Sequence, residues 1–292
     1  MKIGTHTMQK IKLAIECLIV KHEHAAGLLL SDKDFKVPDY RLILKDGTQF
    51  LVEVKNCNKL KKSFKVGWLA KQKEYAALNK PSLKLAVYWR QIGEWTLVDA
   101  SIFKEKSKGC YTLEVSEAIM RNEMATLGDI TLGTLLPLKL QINFSRAHTQ
   151  LKDNESWETL VESIEMFCGN TRIRDDLEKS IAFKVMVGGN LKEDAQIIFG
   201  ENELPIANLF TYDKFVTNER NNEEFEMVGA LSRIISSSYM HATGWSSDNT
   251  EKELIMPRQE PEDFKIFIPE NYIGRDLPLW RFVLKPNIQA LS

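Results

Sequence analysis

An Asp46-Gly47 pair lies between two short, largely apolar runs and limits the possible folds of this chain more than any other local pattern. Such a pair is a strong hairpin signal, because the tight turn between two antiparallel strands needs positive φ angles at its central residues. We therefore predict strands over residues 40–45 and 49–55, joined as a hairpin. Alternate side chains of a strand point to opposite faces, so Glu53 and Lys55 should share one face of the second strand.

The residues around this hairpin predict a mixed β-sheet flanked by helices. Apolar periodicity and turn residues predict, in order, a helix over 7–30, the hairpin strands, a basic loop over 56–65, a helix over 67–78, strands over 83–89 and 95–98, and a helix over 113–123. Farther along they predict helices over 157–168 and 223–237 and strands over 135–144, 181–187, 195–199 and 264–268. The predicted fold class is α/β, with the mixed sheet in a domain over residues 1–150 and a C-terminal α+β domain over residues 151–292. The polar stretch 150–156 is the predicted linker.

The formal net charge of −1 hides a strong division between the two halves of the chain. Residues 1–150 carry 24 basic and 15 acidic side chains, whereas residues 151–292 carry 15 and 25, which gives net charges of +9 and −10. Between Lys55 and Arg90, ten basic residues are accompanied by one acidic residue. This pattern favours a polyanionic partner for the first half and leaves the acidic half for recognition, dimerisation, regulation or a protein partner.

Several broad classes of protein are excluded by composition. A chain that is 43% hydrophobic and 27% charged has enough apolar material for a folded core. The four cysteines are too far apart in sequence to suggest a disulfide scaffold or a zinc ribbon, which favours a reducing compartment. No apolar run reaches the ~18–20 residues that span a bilayer, and no secretory signal begins the chain. We therefore expect a soluble cytoplasmic protein without a membrane partner.

The hairpin also brings two carboxylates and a lysine together. Asp39 follows Pro38 directly before the first strand, thirteen residues separate it from Glu53, and Lys55 lies two positions farther on. Convergent carboxylates suit Mg²⁺, which prefers oxygen ligands, and the backbone carbonyl of Val54 is a further candidate ligand. A lysine beside such a metal can orient or deprotonate a water molecule and offset charge on a phosphate. These are the groups that metal-assisted phosphodiester hydrolysis requires.

Residues 38–56, PDYRLILKDGTQFLVEVKN, resemble the signature of the PD-(D/E)xK nuclease superfamily, which includes many restriction endonucleases and Holliday junction resolvases. The resemblance implies a restriction-endonuclease-like core over about residues 8–100. It implies that Asp39 and Glu53 bind Mg²⁺, or Mn²⁺ in its place, and that Lys55 assists the attacking water. It further implies a metal ligand from the preceding helix, for which Glu16 is the matching position. The expected function is that of a metal-dependent endonuclease acting on DNA, with RNA as an alternative substrate.

The basic segment that begins at the motif is the predicted nucleic-acid surface. Its predicted contacts are Lys59, Lys61, Lys62, Lys65, Lys71, Gln72 and Tyr75, the last two matching a Gln and a Tyr that some superfamily members carry on this helix. Cleavage of two strands commonly needs two active sites, so a homodimer is expected. Two alternatives stay open: a catalytically inactive nuclease fold that holds nucleic acid or serves in an assembly, and an interaction protein whose acidic half masks the basic half. An ordinary solvated hairpin face accounts for the same residues without any function.

Overall fold

The computed structural model describes residues 17–22, 35–103, 109–153, 156–200, 203–215, 224–242, 268–269 and 271–287. Within these residues the protein has a mixed α/β fold that is rich in strands and has few helices, which confirms the predicted fold class. They form two compact units, drawn from 1–130, 230–265 and 283–292 in the first and from 131–229 and 266–282 in the second. In the part of the chain that is described, no helix is long and apolar enough to cross a membrane.

A five-stranded mixed sheet with the order β1-β2-β3-β5-β6 is the centre of the first unit. Its strands are β1 (Cys17–His22), β2 (Tyr40–Leu44), β3 (Gln49–Cys57), β5 (Ser82–Trp89) and β6 (Glu94–Asp99). The predicted hairpin is confirmed, because β2 and β3 pair antiparallel across a turn in which Gly47 has a φ of 85°. Strands β3 and β5 pair in parallel, and helix α1 (Val66–Asn79) lies between them in sequence.

Both faces of the sheet are covered at its centre. Seven consecutive residues of β5 are buried, which is the pattern of a strand inside a two-sided layer. One face packs against α1 through a core that includes Leu51, Leu69, Tyr75 and Leu85. Leu51, Glu53 and Lys55 are two residues apart along β3, so their side chains lie on this same face. The fold therefore places Glu53 and Lys55 beneath α1.

Two predictions for the first half are wrong. Residues 17–22 form strand β1, which pairs antiparallel with β2, so the predicted helix over 7–30 does not run through them. The predicted basic loop over 56–65 instead contains the end of β3 and strand β4 (Lys61–Lys65), which pairs antiparallel with β7 (Cys110–Glu114). The helix predicted over 113–123 is shorter, and it is α2 (Val115–Met120). In both wrong cases hydrogen bonding to a neighbouring strand outweighs the local pattern.

The second unit is built mainly from antiparallel sheets. One has the order β13-β12-β9-β15-β14 and the other has the order β16-β8-β17. The strands are β8 (Thr131–Leu136), β9 (Leu138–Phe144), β12 (Val161–Cys168), β13 (Thr171–Ile173), β14 (Lys192–Phe199), β15 (Pro205–Asp213), β16 (Glu224–Ala230) and β17 (Leu279–Phe282), with a separate pair β10 (Gln150–Asp153) and β11 (Ser156–Glu158). Helix α3 (Asp176–Gly188) belongs to this unit, whereas α4 (Leu231–Ala242) lies in the first unit.

The second half also corrects several expectations. Residues 157–168 are strands rather than a helix, residues 181–187 lie in helix α3 rather than a strand, and residues 224–230 form β16 ahead of α4. The predicted strand over 264–268 falls almost entirely outside the described residues. The polar stretch 150–156 lies in the β10–β11 pair, and β9 and β12 join one sheet across the 150/151 boundary. The roles assigned to the two predicted domains stay predictions.

Candidate active site

The candidate active site begins where the pairing between β2 and β3 stops. The last paired residues are Tyr40 and Val52, and just beyond them Asp39 Oδ2 accepts a hydrogen bond of 2.8 Å from the backbone N–H of Val54. This side-chain bond replaces the next rung of the ladder and fixes the Asp39 carboxylate beside the edge of β3. The N–H and C=O of a strand residue point to the same side of the strand, so the Val54 carbonyl faces this edge as well.

Glu53 points from the same strand toward helix α1 and is almost fully buried, with 5% of its surface exposed. Each carboxylate oxygen has a partner. Oε1 accepts from the Lys55 ammonium, and Oε2 accepts from the Gln72 amide nitrogen at 2.6 Å. A carboxylate has about four lone-pair positions, so both oxygens keep acceptor capacity beyond these bonds.

The environment raises the pKa of the Glu53 carboxyl above its ordinary value of 4.5. Burial is the largest cause, because removal from water disfavours the charged form. The positive charge of Lys55 opposes it, the negative charge of Asp39 adds to it, and the hydrogen bonds from Lys55 and Gln72 also favour the ionised form. A further cation beside Glu53 would lower this pKa, so the site gains most from a ligand of positive charge.

Lys55 is held between its carboxylate partner and an aromatic ring. Its ammonium lies 5.0 Å from the ring centroid of Trp68, within the range of a cation–π interaction, and its side chain stays 28% exposed. Trp68 itself stacks on Phe64 at 5.9 Å with an interplanar angle of 15°. Trp68 is not among the site residues predicted from the sequence. Its spacing of four residues from Gln72 was the available signal, because it puts both on one face of α1.

The side-chain oxygen of Gln72 is buried. The residue is 1% exposed, and among the described residues its Oε1 finds no hydrogen-bond partner. The orientation of the amide follows from its neighbour, since only the nitrogen can donate to the Glu53 carboxylate. An unpaired buried acceptor costs about 1–3 kcal/mol, so this oxygen marks a place for a donor such as a water molecule.

The oxygen atoms of this site are suitable ligands for a hard divalent cation. Carboxylate oxygens from Asp39 and Glu53, the Val54 carbonyl and the unpaired oxygen of Gln72 are the oxygen groups that Mg²⁺ selects. The described residues contain no group of three or more His, Cys, Asp or Glu side chains placed to hold a metal ion. Two carboxylates are nevertheless sufficient for Mg²⁺, which usually retains several waters. The fourth predicted ligand, Glu16, lies outside the described residues.

The predicted nucleic-acid residues divide into surface and interior groups. Lys59, Lys61 and Lys65 are exposed, and Lys62 and Lys71 are half-buried. Gln72 and Tyr75 are buried, at 1% and 3% exposure, so both are interior residues rather than surface contacts.

One member of the basic run is also removed from the surface. Lys84 is buried on the opposite face of the sheet, where it binds Asp99 at 2.8 Å and Glu123 at 2.6 Å. Burial is the largest single influence on the pKa of Lys84 and lowers it, because it disfavours the charged ammonium. The hydrogen bonds to the two carboxylates and their negative charges together outweigh burial, so the pKa is raised above its ordinary value. The lysine is therefore part of the interior and is unavailable to a polyanion.

The fold and this arrangement define a mixed α/β protein in which carboxylates and a lysine of the central hairpin meet a glutamine of helix α1. No family model matches the chain, and no curated protein matches it. Among solved structures, the chain is similar to the 1.6 Å structure of Hjc, a Holliday junction resolvase from the archaeal hyperthermophile Archaeoglobus fulgidus. The match has a TM-score of 0.33 and 13% identity, and it covers 42% of this chain and 97% of the resolvase. At this similarity the functional argument depends on the residues of the site.

Proposed function

We propose that this protein is a metal-dependent nuclease that hydrolyses phosphodiester bonds of DNA. Asp39, Glu53 and the Val54 carbonyl would hold Mg²⁺ or Mn²⁺, and Lys55 is the catalytic lysine. The observation that carries the proposal is the double engagement of the buried Glu53 carboxylate by Lys55 and Gln72. Asp39 is fixed on the neighbouring N–H of the same strand. An ordinary solvated hairpin face has no reason to bury a glutamate and orient both of its oxygens.

The residues divide the chemical work between them. When bound, the divalent cation would supply the Lewis acid that activates water and neutralises phosphate charge. The Lys55 side chain is 28% exposed, so its ammonium can meet the phosphate and the attacking water while Trp68 limits its movement. Gln72 holds the Glu53 carboxylate in one orientation, and its free oxygen can accept a hydrogen bond from a water molecule in the site.

The raised pKa of Glu53 predicts the acid side of the pH profile. Cation binding needs the ionised carboxylate, so activity should increase with pH through a midpoint above 4.5 at low Mg²⁺ concentration. Cation binding favours the ionised form, so this midpoint should move to lower pH as the Mg²⁺ concentration rises.

The direct test uses the full chain with plasmid, duplex and single-stranded DNA in Mg²⁺, in Mn²⁺ and in EDTA. We expect cleavage that requires the metal and that is reduced at least about a hundredfold by Glu53→Gln or Lys55→Met. Glu74→Gln is the matched control for Glu53, because Glu74 is exposed on α1. For the Asp39→Asn variant the matched control is Asp46→Asn, because Asp46 is exposed on the same hairpin. Cleavage in EDTA, or cleavage retained by both Glu53→Gln and Lys55→Met, would refute the mechanism.

A second candidate is a binding protein that keeps the site without using it. It is favoured by one observation, namely that the described residues contain no group of three or more His, Cys, Asp or Glu side chains placed to hold a metal ion. Such a protein would bind DNA with a strong salt dependence, and it would cleave none of the substrates in either metal.

A further inference from the structure

Strands β4 and β7 form a two-stranded ribbon with two very different faces. The paired residues Lys61–Glu114, Ser63–Thr112 and Lys65–Cys110 alternate with Lys62–Leu113 and Phe64–Tyr111. Phe64 and Leu113 are 4% and 1% exposed, whereas Lys61, Ser63 and Lys65 are exposed. The ribbon therefore has an outer polar face and an inner face that is apolar except for the half-buried Lys62.

The inner face attaches the ribbon to the candidate active site. Phe64 stacks on Trp68 at 5.9 Å and meets Phe103 edge-on at 5.4 Å. Trp68 is the residue whose ring lies 5.0 Å from the Lys55 ammonium. Only two aromatic rings thus separate the outer face of the ribbon from the proposed catalytic lysine, and both rings are packed in place.

The outer face has short hydroxyl side chains in the middle and longer charged side chains toward its ends. Ser63 and Thr112 are directly opposite each other, and Lys65 lies at one end. At the other end Lys61 is paired with Glu114 at 2.8 Å. Lys59 is exposed just before the ribbon begins. Serine and threonine hydroxyls can both donate and accept, so they can meet any base edge, while free lysines favour phosphates.

We propose that the outer face of this ribbon enters the major groove of the duplex DNA that the active site cleaves. Ser63 and Thr112 would contact base edges, and Lys59 and Lys65 would contact the phosphates beside the groove. This proposal rests on the proposed nuclease function and names its substrate as B-form duplex DNA.

The dimensions of the ribbon support this assignment. Two strands lie about 4.8 Å apart, and five residues extend over about 17 Å, a size that the major groove, about 12 Å wide, can admit. The major groove of double-stranded RNA is too narrow and deep for such an element. A bound RNA duplex, or a preference for single strands, is therefore a contrary outcome.

The first experiment measures binding by the full chain carrying Glu53→Gln, in EDTA, so that cleavage does not interfere. The probes are a duplex DNA, an RNA duplex of the same sequence and the single DNA strand. The double variant Lys59→Glu/Lys65→Glu is compared with Lys152→Glu/Lys192→Glu, which changes exposed lysines of the second unit by the same net charge. We expect the ribbon variant to reduce the slope of log K against log salt by about 1.8, or about 0.9 for each phosphate contact, and the control to leave it unchanged.

The second experiment asks which groove is occupied. Methylation of guanine N7 places a group in the major groove, so we expect it to interfere with binding at one or two positions of the duplex. Ser63→Ala/Thr112→Ala should weaken this interference pattern while preserving the salt slope, because hydroxyls carry no charge. Circular dichroism of each variant checks that the substitutions leave the fold intact.

Failure of the ribbon and failure of the nuclease give different results. If the wild-type chain cleaves DNA with Mg²⁺ but the ribbon variant binds like its control, the ribbon proposal is wrong and the nuclease stands. Equal binding of the RNA duplex, or indifference to N7 methylation, also overturns the ribbon proposal. If cleavage is absent while the ribbon substitutions reduce the salt slope and methylation interferes, the ribbon is a DNA-binding element and the proposed nuclease is wrong.

Discussion

Replacing Gln72 with methionine should make the stability of the first unit depend on pH in a particular direction. Methionine has nearly the same length and no polar atoms, so Gln72→Met removes the donor to Glu53 Oε2 and the unpaired Oε1 together while it keeps the core filled. The two losses act in opposite senses. The missing donor destabilises the fold, whereas the missing unpaired acceptor stabilises it.

The balance depends on the charge of Glu53. A hydrogen bond to an ionised carboxylate contributes about 1.5–3 kcal/mol to the free energy of unfolding, and one to a neutral group contributes about 0.5–1.5 kcal/mol. Removal of the buried unpaired acceptor adds about 1–3 kcal/mol to the stability of the variant. When Glu53 is protonated, the variant should therefore equal or exceed the wild type in stability. As pH rises through the Glu53 pKa, the variant should lose about 1–1.5 kcal/mol relative to the wild type, which corresponds to about one further unit of upward pKa shift. The loss occurs as pH rises because the folded state binds the Glu53 proton more tightly than the unfolded chain does, so ionisation of this buried carboxyl reduces the free energy of unfolding.

The measurement is equilibrium unfolding in urea between pH 4.5 and 8, in EDTA, read by pulse-labelling hydrogen exchange on the peptide that contains β3. This readout follows one unit, which matters because the chain has two. Gln91→Met is the matched control, because Gln91 is exposed in the turn between β5 and β6. If the stability of Gln72→Met relative to the wild type is constant with pH, or increases as pH rises, the reasoning is refuted.

Three further substitutions test packing and charge outside the site. Glu178 accepts three backbone N–H bonds of 2.7–2.9 Å, so Glu178→Gln should destabilise the second unit by about 3 kcal/mol in thermal unfolding, and a loss below about 1 would contradict this. Lys84→Met should cost about 2–3 kcal/mol by leaving Asp99 and Glu123 without their common cation, and amide replacement of both acids should recover most of it. A Cβ atom on Gly133 would lie 2.5 Å from an aromatic ring, so Gly133→Ala should cost about 1–3 kcal/mol in urea unfolding, and an unchanged midpoint would show that the ring moves freely.

The hairpin and the elements after it could be predicted because their local signals agree with their tertiary setting. The Asp46-Gly47 turn fixes the register of two strands, and the apolar run 83–89 has the burial of an interior strand. Residues 181–187 were predicted wrongly because the apolar run IAFKVMV is compatible with a strand and with a buried helix alike. The decisive signal lay upstream, where Asp175 accepts from the N–H of Glu178 and caps α3. Short apolar runs need such boundary signals to separate helix from strand.

The site could be predicted as far as its residues lie on one hairpin. Spacing along β3 put Glu53 and Lys55 on one face, and their ion pair bears this out. Trp68 and Gln72 reach the same cluster from α1, which requires knowing how that helix lies on the sheet. A sequence period identifies the face that these two share, but only the packed structure shows that the face covers Glu53.

The basic charge of the first half shows why net charge alone says little about a binding surface. Lys84 is buried with two carboxylates, and Lys61 is paired with a third across the ribbon. A lysine contributes to polyanion binding only where phosphate can reach its ammonium group. The alternation of β4 puts Phe64 into the core, where it stacks on Trp68, and leaves Lys65 exposed. The segment for which the local pattern predicts a charged loop is therefore a strand that leaves part of this charge exposed.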